Sequence, residues 1–226
     1  MRPKTLDHVA LWVADRDRIA DFLTERVGMH VIERTDKFTL VGSDARRGKL
    51  TLFAEEGPRE RGALKHVALR VSDLEGALSS LGDVAVSTKD GGAYFDVAEG
   101  LRLGLVEGET EVDYDLDHVA LFSASPAETA KTYEKFGFAA EDDTRVEVGG
   151  AFVEFHEGEP GNPEQPLLNH LAVLVDSADE TLEEAKQAGM DVADVVDAPN
   201  TLAVFVWGPE HVKIEYVEQK PTFALK

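Results

Sequence analysis

Cysteine is absent from the 226 residues, which excludes disulfides, thiolate metal sites and cysteine nucleophiles together. Any metal must then be held by histidine and carboxylate. No apolar run approaches the length that spans a bilayer. The start, Met1-Arg2-Pro3-Lys4, leads straight into a strand pattern rather than a signal segment. The expected location is the cytoplasm, without a membrane partner. Basic residues are scarce: 23 Lys and Arg face 44 Asp and Glu, a formal net charge of −21. That balance argues against nucleic acid as a partner, because phosphate must be neutralised by basic surface. The acid is uneven, with 21 acidic and 16 basic residues through Asp113 but 23 and 7 after it. Two readings stand side by side: a halophilic surface kept soluble in strong salt, and a field that draws cations to a site in the second half.

Against these absences stands a four-fold repeat. The segments Leu6-Asp7-His8-Val9-Ala10, Leu64-Lys65-His66-Val67-Ala68, Leu116-Asp117-His118-Val119-Ala120 and Leu168-Asn169-His170-Leu171-Ala172 place histidines 58, 52 and 52 residues apart. Each opens a unit with the order β-α-β-β-β. In the first, the strand over 7–14 alternates, and Asp15-Arg16-Asp17 opens a helix with Ile19, Phe22, Leu23 and Val27 at helical spacing. Gly28 ends it, and extended segments are expected over 29–34, 37–43 and 48–54. The second unit predicts a helix over 74–81 and strands over 93–96 and 101–106. In the third, Ser125-Pro126-Ala127-Glu128 starts a helix that Gly137 closes. In the fourth, the helix runs from about Asp176 to Gly189, and Gly208-Pro209-Glu210 turns into a strand over 211–218. Glu109 to Asp113 is the expected hinge between halves, and 157–166 is the long loop.

Tandem units opened by an L-x-H-[VL]-A strand resemble the vicinal oxygen chelate superfamily: glyoxalase I, bleomycin resistance proteins and type I extradiol dioxygenases. The resemblance covers nearly the whole chain. It implies an α+β fold of four βαβββ modules paired into two half-open barrels, with the first and last strands of each module aiming side chains at a metal. The expected domains are 1–110, a module pair with a degenerate site, and 111–226, a pair with the metal site. The units would pair within one chain or across a homodimer.

Period-two alternation puts Lys213, Glu215 and Val217 on one strand face with Tyr216 toward the helices. Glu154 is placed likewise in Phe152-Val153-Glu154-Phe155-His156. A carboxylate between bulky apolar neighbours is costly inside a protein unless paired or metal-bound. The corresponding first-half positions are read as Leu52 and Gly104. The predicted metal ligands are therefore His118, Glu154, His170 and Glu215, holding one divalent ion (Fe, Zn, Ni, Mn or Co), with His8 and His66 as structural remnants. The candidate catalytic groups are Glu154, Glu215 and His156, the last alternatively a strand's polar end. Lys213 reads as a surface lysine, and Phe205 and Trp207 as core or cavity wall.

Three functions follow, all acting on a small oxygenated molecule bound through two oxygens. Four ligands resemble the glyoxalase-like isomerases and lyases, in which a ligand glutamate detaches to shuttle a proton. Two histidines and one glutamate, here His118, His170 and Glu215, resemble the extradiol dioxygenases, which use Fe(II), although the tyrosine expected ten residues before the last ligand is Phe205 and Glu154 would crowd a face that oxygen needs. The third is a resistance-type binding protein. The charge itself is testable: if it is halophilic adaptation, low salt leaves repulsion unscreened, and the melting temperature should climb steeply with KCl. A flat melting temperature into molar salt would reject that reading.

Overall fold

The computed structural model describes residues 1–89 and 91–225. The first unit comprises β1 (Thr5–Val13), α1 (Arg16–Phe22) with a π-helical turn over Leu23–Val27, β2 (His30–Arg34), β3 (Phe38–Asp44) and β4 (Arg47–Ala54). The second has β5 (Leu64–Val71), α2 (Leu74–Leu81), β6 (Ser87–Lys89), β7 (Gly92–Asp96) and β8 (Arg102–Glu107). The third has β9 (Asp115–Ser123), α3 (Pro126–Tyr133), β10 (Ala139–Asp142), β11 (Arg145–Val148) and β12 (Ala151–Glu157). The fourth has β13 (Leu168–Leu174), α4 (Ala178–Gln187), β14 (Val192–Asp197), β15 (Thr201–Trp207) and β16 (Lys213–Gln219). Side chains cap three helices as their residue types suggest: Asp15, Asp73 and Ser177 accept from the amides of Arg18, Gly76 and Glu180. Strand β6 escaped the sequence reading because its three residues are exposed and polar.

The units pair differently from the expected halves. One sheet runs β14-β15-β16-β13-β1-β4-β3-β2 and joins the first unit to the fourth; the other runs β10-β11-β12-β9-β5-β8-β7-β6 and joins the second to the third. A division into 1–110 and 111–226 therefore cuts both sheets, and the 109–113 segment links two units of one sheet. The chain instead changes sheets through 55–63 and 158–167, whose backbones meet in a bridge between Glu60 and Pro166. All four units find partners within one chain.

The central joint of each sheet is an antiparallel pair of first strands. Val9 faces Leu171 across β1 and β13, and Val67 faces Val119 across β5 and β9. Alternation then sorts each strand. Val9, Leu11 and Val13 are fully buried, as are Val67 and Leu69, and together with Val119 and Leu121 they enter one core shared by both sheets and the helices. The histidines lie on the opposite face of each strand. The register also explains the alanine of the repeat: His8 faces Ala172, Ala10 faces His170, His66 faces Ala120 and Ala68 faces His118. Each alanine leaves room for the imidazole of the partner unit. Among the described residues no helix is long and apolar enough to cross a membrane.

Two tyrosines in the core give a contrast. Both are fully buried. Tyr216 donates its hydroxyl to the Phe136 carbonyl at 2.8 Å, whereas the Tyr133 hydroxyl has no hydrogen-bond partner among the described residues. Tyr216→Phe should cost about 1–2 kcal/mol by orphaning a buried carbonyl. Tyr133→Phe removes only an unsatisfied group and should be neutral or stabilising. Urea unfolding of both variants checks the ranking, and equal losses would contradict it.

Candidate metal centre

Strand pairing brings His8 to the site rather than leaving it a remnant. His8 from β1, His170 from β13 and Glu215 from β16 converge with ligand atoms within 4.8 Å of one another. The separations are 3.1 Å between the two histidine Nε2 atoms, 3.1 Å from His8 Nε2 to Glu215 Oε2, and 2.9 Å from His170 Nε2 to the same oxygen. His170 and Glu215 are buried and His8 nearly so. Glu215 Oε2 nevertheless has no aligned hydrogen-bond donor. The two imidazole nitrogens are within hydrogen-bond distance of each other and both lie against the Glu215 carboxylate, so the three ligand atoms converge on one place.

Donors about 2.1 Å from a metal lie about 3.0 Å apart at right angles and about 3.4 Å apart at tetrahedral angles. The observed edges are compact enough for the three atoms to share one ion, and the donor set is that of the two-histidine, one-carboxylate triad. The donor set and its spacing thus fit a divalent metal.

Behind the triad, each imidazole is held from its other nitrogen. His8 Nδ1 lies 2.7 Å from Asp7 Oδ2, and His170 Nδ1 lies 3.0 Å from Asn169 Oδ1. Such partners fix ring orientation and tautomer at metal sites. Asp7 is in turn paired with the buried Lys49 at 2.8 Å, and Lys49 also donates to the Ala45 carbonyl at 2.7 Å. Burial opposes ionisation of Asp7, but the Lys49 charge and His8 outweigh it and lower its pKa. Burial likewise opposes a charge on His8, yet the neighbouring Glu215 charge and the bond to Asp7 push it up to about 9. Glu215 is held below the usual carboxylate range: burial resists, and the two histidines prevail. Burial lowers His170, with Glu215 opposing.

The four residues assigned to one site from sequence do not assemble. His170 and Glu215 belong to the first sheet, while His118 and Glu154 belong to the second, where they face His66. The reason is the pairing of first strands, which joins the fourth unit to the first and not to the third. In that second cavity His66 Nε2 and His118 Nε2 are 2.9 Å apart, but Glu154 Oε2 is 3.8 Å from His118. Glu154 is drawn toward Arg145 at 3.3 Å and His156 at 3.4 Å. His156 is thus near Glu154, as its spacing suggested, and away from the first-sheet triad.

The register also corrects one equivalence. Glu215 faces Ala172, Glu154 faces Ala120 and Gly104 faces Ala68, each two residues beyond a histidine. The matching residue beside Ala10 is Thr51, not Leu52, which is buried in the core. The fourth position of the first-sheet site is therefore a hydroxyl. Lys213 is half-buried rather than a plain surface lysine, with its ammonium 5.6 Å from the Trp207 ring centre. Phe205 faces Glu215 across β15 and β16, and its ring lies edge-on to His170 at 5.1 Å. Phe53 stands 6.3 Å from His170 and joins Trp12 and Phe38 in an aromatic wall. Sequence reasoning missed Asp7, Lys49 and Thr51. A signal existed: aspartate precedes the histidine in the first and third units, and lysine or asparagine in the second and fourth. Each sheet contains one of each kind.

Comparisons with known proteins agree with this architecture. The profile described as Glyoxalase/Bleomycin resistance protein/Dioxygenase superfamily matches residues 5–91 and 115–216. A comparison with curated proteins finds no match. Among solved structures, a putative dioxygenase from Bacillus subtilis subsp. subtilis str. 168 superposes with a TM-score of 0.79 at 18% identity, covering 99% of this chain and 87% of that one. Glyoxalase I from Zea mays gives 0.73 at 15% identity, covering 95% and 92%. The cppA protein from Streptococcus pneumoniae TIGR4 gives 0.63 at 15% identity, covering 96% and 98%. At these identities the likeness is one of fold.

The buried Asp7–Lys49 pair sets a stability test for the scaffold behind His8. Lys49→Met keeps the bulk but leaves the Asp7 carboxylate without its cation, and should cost about 3–5 kcal/mol. Chemical denaturation measures it. A loss below about 1 kcal/mol, the range of exposed pairs, would show that Lys49 does not anchor Asp7.

Proposed function

Because the chain belongs to the Glyoxalase/Bleomycin resistance protein/Dioxygenase superfamily, and the matched segments include all three residues of the first-sheet triad, we propose that it is a metal-dependent enzyme, an Fe(II) oxygenase that opens the ring of a vicinal dihydroxy aromatic. The observation that carries this reading is the cluster of His8, His170 and Glu215 with Thr51, not a carboxylate, at the fourth position. The isomerase or lyase alternative relied on four protein donors in one place, and Glu154 lies on the other sheet.

Bound there, Fe(II) would supply redox chemistry with O₂ and a Lewis-acidic anchor for two adjacent substrate oxygens. The protein's part is to hold and shape. Asp7 and Asn169 restrain the two imidazoles, so the donors stand ready without reorganisation. Phe53 and Phe205 flank His170 and suit a flat aromatic ring, which they would seat by edge and face contacts. Ala172, Ala203 and Val217 form a small apolar cluster with Leu174 and Phe205 on the sheet that carries Glu215. Both atoms of O₂ enter the ring-opened product, so no external reductant is consumed.

Metal analysis and oxygen uptake test the proposal. Protein loaded with Fe(II) should hold one ion per chain and consume O₂ with a catechol, giving a yellow product. His8→Ala and Glu215→Ala should lose both metal and uptake, whereas His118→Ala and Glu154→Ala should keep the metal. Asn169→Ala touches the site only through His170 and should weaken metal binding by about 10- to 100-fold. Metal retained in His8→Ala would reject the triad. Turnover of a 2-oxoaldehyde–thiol adduct by the Zn form under nitrogen would favour the isomerase instead.

A further inference from the structure

The second sheet builds its own cavity on the His66–His118 pair, with a volume of about 460 Å³. Three changes distinguish it from the first-sheet triad. Its fourth position is Gly104, where the Tyr94 ring fills the space: a Cβ there would come within 2.6 Å of that ring. Glu154 lies closer to Arg145 and His156, at 3.3 and 3.4 Å, than to His118 at 3.8 Å. Burial and the neighbouring His118, Lys65 and His156 push His66 down to about 3, so it stays neutral. These residues no longer make a compact donor set for a metal.

Its charge is the reverse of the molecule's. In a chain carrying −21, Lys65, Lys89, Arg102 and Arg145 all line this one cavity, against the carboxylates Asp117 and Glu154, with Arg102 also paired to Asp96 at 3.0 Å. Asp117 is already engaged by His118 Nδ1 at 2.7 Å and Arg70 Nε at 2.8 Å. Arg145 is held rigidly, its guanidinium 3.6 Å from the Phe152 ring centre. Its buried Nε and the buried Nε2 of His156 have no aligned acceptor. Both already lie near the Glu154 carboxylate, at 3.3 and 3.4 Å, without an aligned bond to it, so a better-placed oxyanion in a cavity large enough for a metabolite could share them with Glu154. Arginine in a fixed orientation is suited to carboxylate or phosphate oxygens.

We propose that this second cavity is a metal-independent binding site for a small organic oxyanion, carboxylate or phosphate, which accepts hydrogen bonds from Arg145 and His156 and is drawn in by Lys65, Lys89 and Arg102. The site is separate from the first-sheet triad and does not depend on the reaction assigned there.

Calorimetric titration of the metal-loaded protein with inorganic phosphate and, separately, with succinate tests the site. At least one should bind saturably at about one per chain. Arg145→Gln should weaken that binding by about 10-fold or more, the loss of one charge-assisted hydrogen bond. The exposed Lys89→Gln should weaken it several-fold without touching the cavity floor, and carries the test should Arg145→Gln fold poorly. His8→Ala should leave it unchanged. Response to phosphate alone identifies a phosphorylated ligand, and to succinate alone a carboxylate. The proposal is overturned by no saturable binding of either anion up to roughly 10 mM, by binding that neither cavity variant reduces, or by binding lost in His8→Ala.

Discussion

The antiparallel joint between first strands governs the rest of this molecule. Where β1 meets β13 and β5 meets β9, the same residues that extend the sheet bring two histidines face to face, with an alanine opposite each. Backbone pairing sets the distance between the imidazoles, and alternation ensures that their neighbours, Val9 and Leu171 or Val67 and Val119, are buried on the other face. Sheet formation, core formation and assembly of the histidine pairs are therefore one event. A slip of one residue would turn all of them over together.

From one motif the chain derives two unlike side-chain clusters. In the first sheet the carboxylate of Glu215 closes on both histidines, and a buried Asp7–Lys49 pair stiffens the support behind them. In the second, Arg145 and His156 compete for Glu154, and Tyr94 occupies the space beside Gly104. The differences are few and local. Strongly interacting charges a few ångströms apart decide whether a carboxylate completes a triad or leaves it, so small changes suffice to give one site a metal's geometry and the other an anion's.

The acidic surface and the basic cavity belong to the same electrostatic picture. The net charge of −21 opposes the approach of any anion, so attraction into the cleft must come from the cations that line it and act at short range. Larger polyanions would meet repulsion from the surrounding surface, while a small molecule inside the cleft is shielded from it over distances beyond about 10 Å at moderate salt.

The repeat, the β-α-β-β-β order and the superfamily resemblance were legible in sequence because they depend on local periodicity: strand alternation, caps such as Asp15 and Asp73, and histidines at near-constant spacing. Glu215 and Glu154 stood out for the same reason, as carboxylates inside apolar strands. Pairing was not legible. Every first strand presents nearly the same face, so nothing in L-x-H-[VL]-A distinguishes a partnership of the fourth unit with the first from one with the third, and adjacency in sequence favoured the wrong choice. The register of β4 against β1, which puts Thr51 and not Leu52 beside Ala10, was likewise hidden in a run of residues buried on both faces. Sequence by itself marked His170 and Glu215 as metal-binding side chains on the cavity faces of their strands, but not His8 or Thr51. Only the tertiary structure decided which of them meet, because that depends on hydrogen bonds between strands more than 160 residues apart.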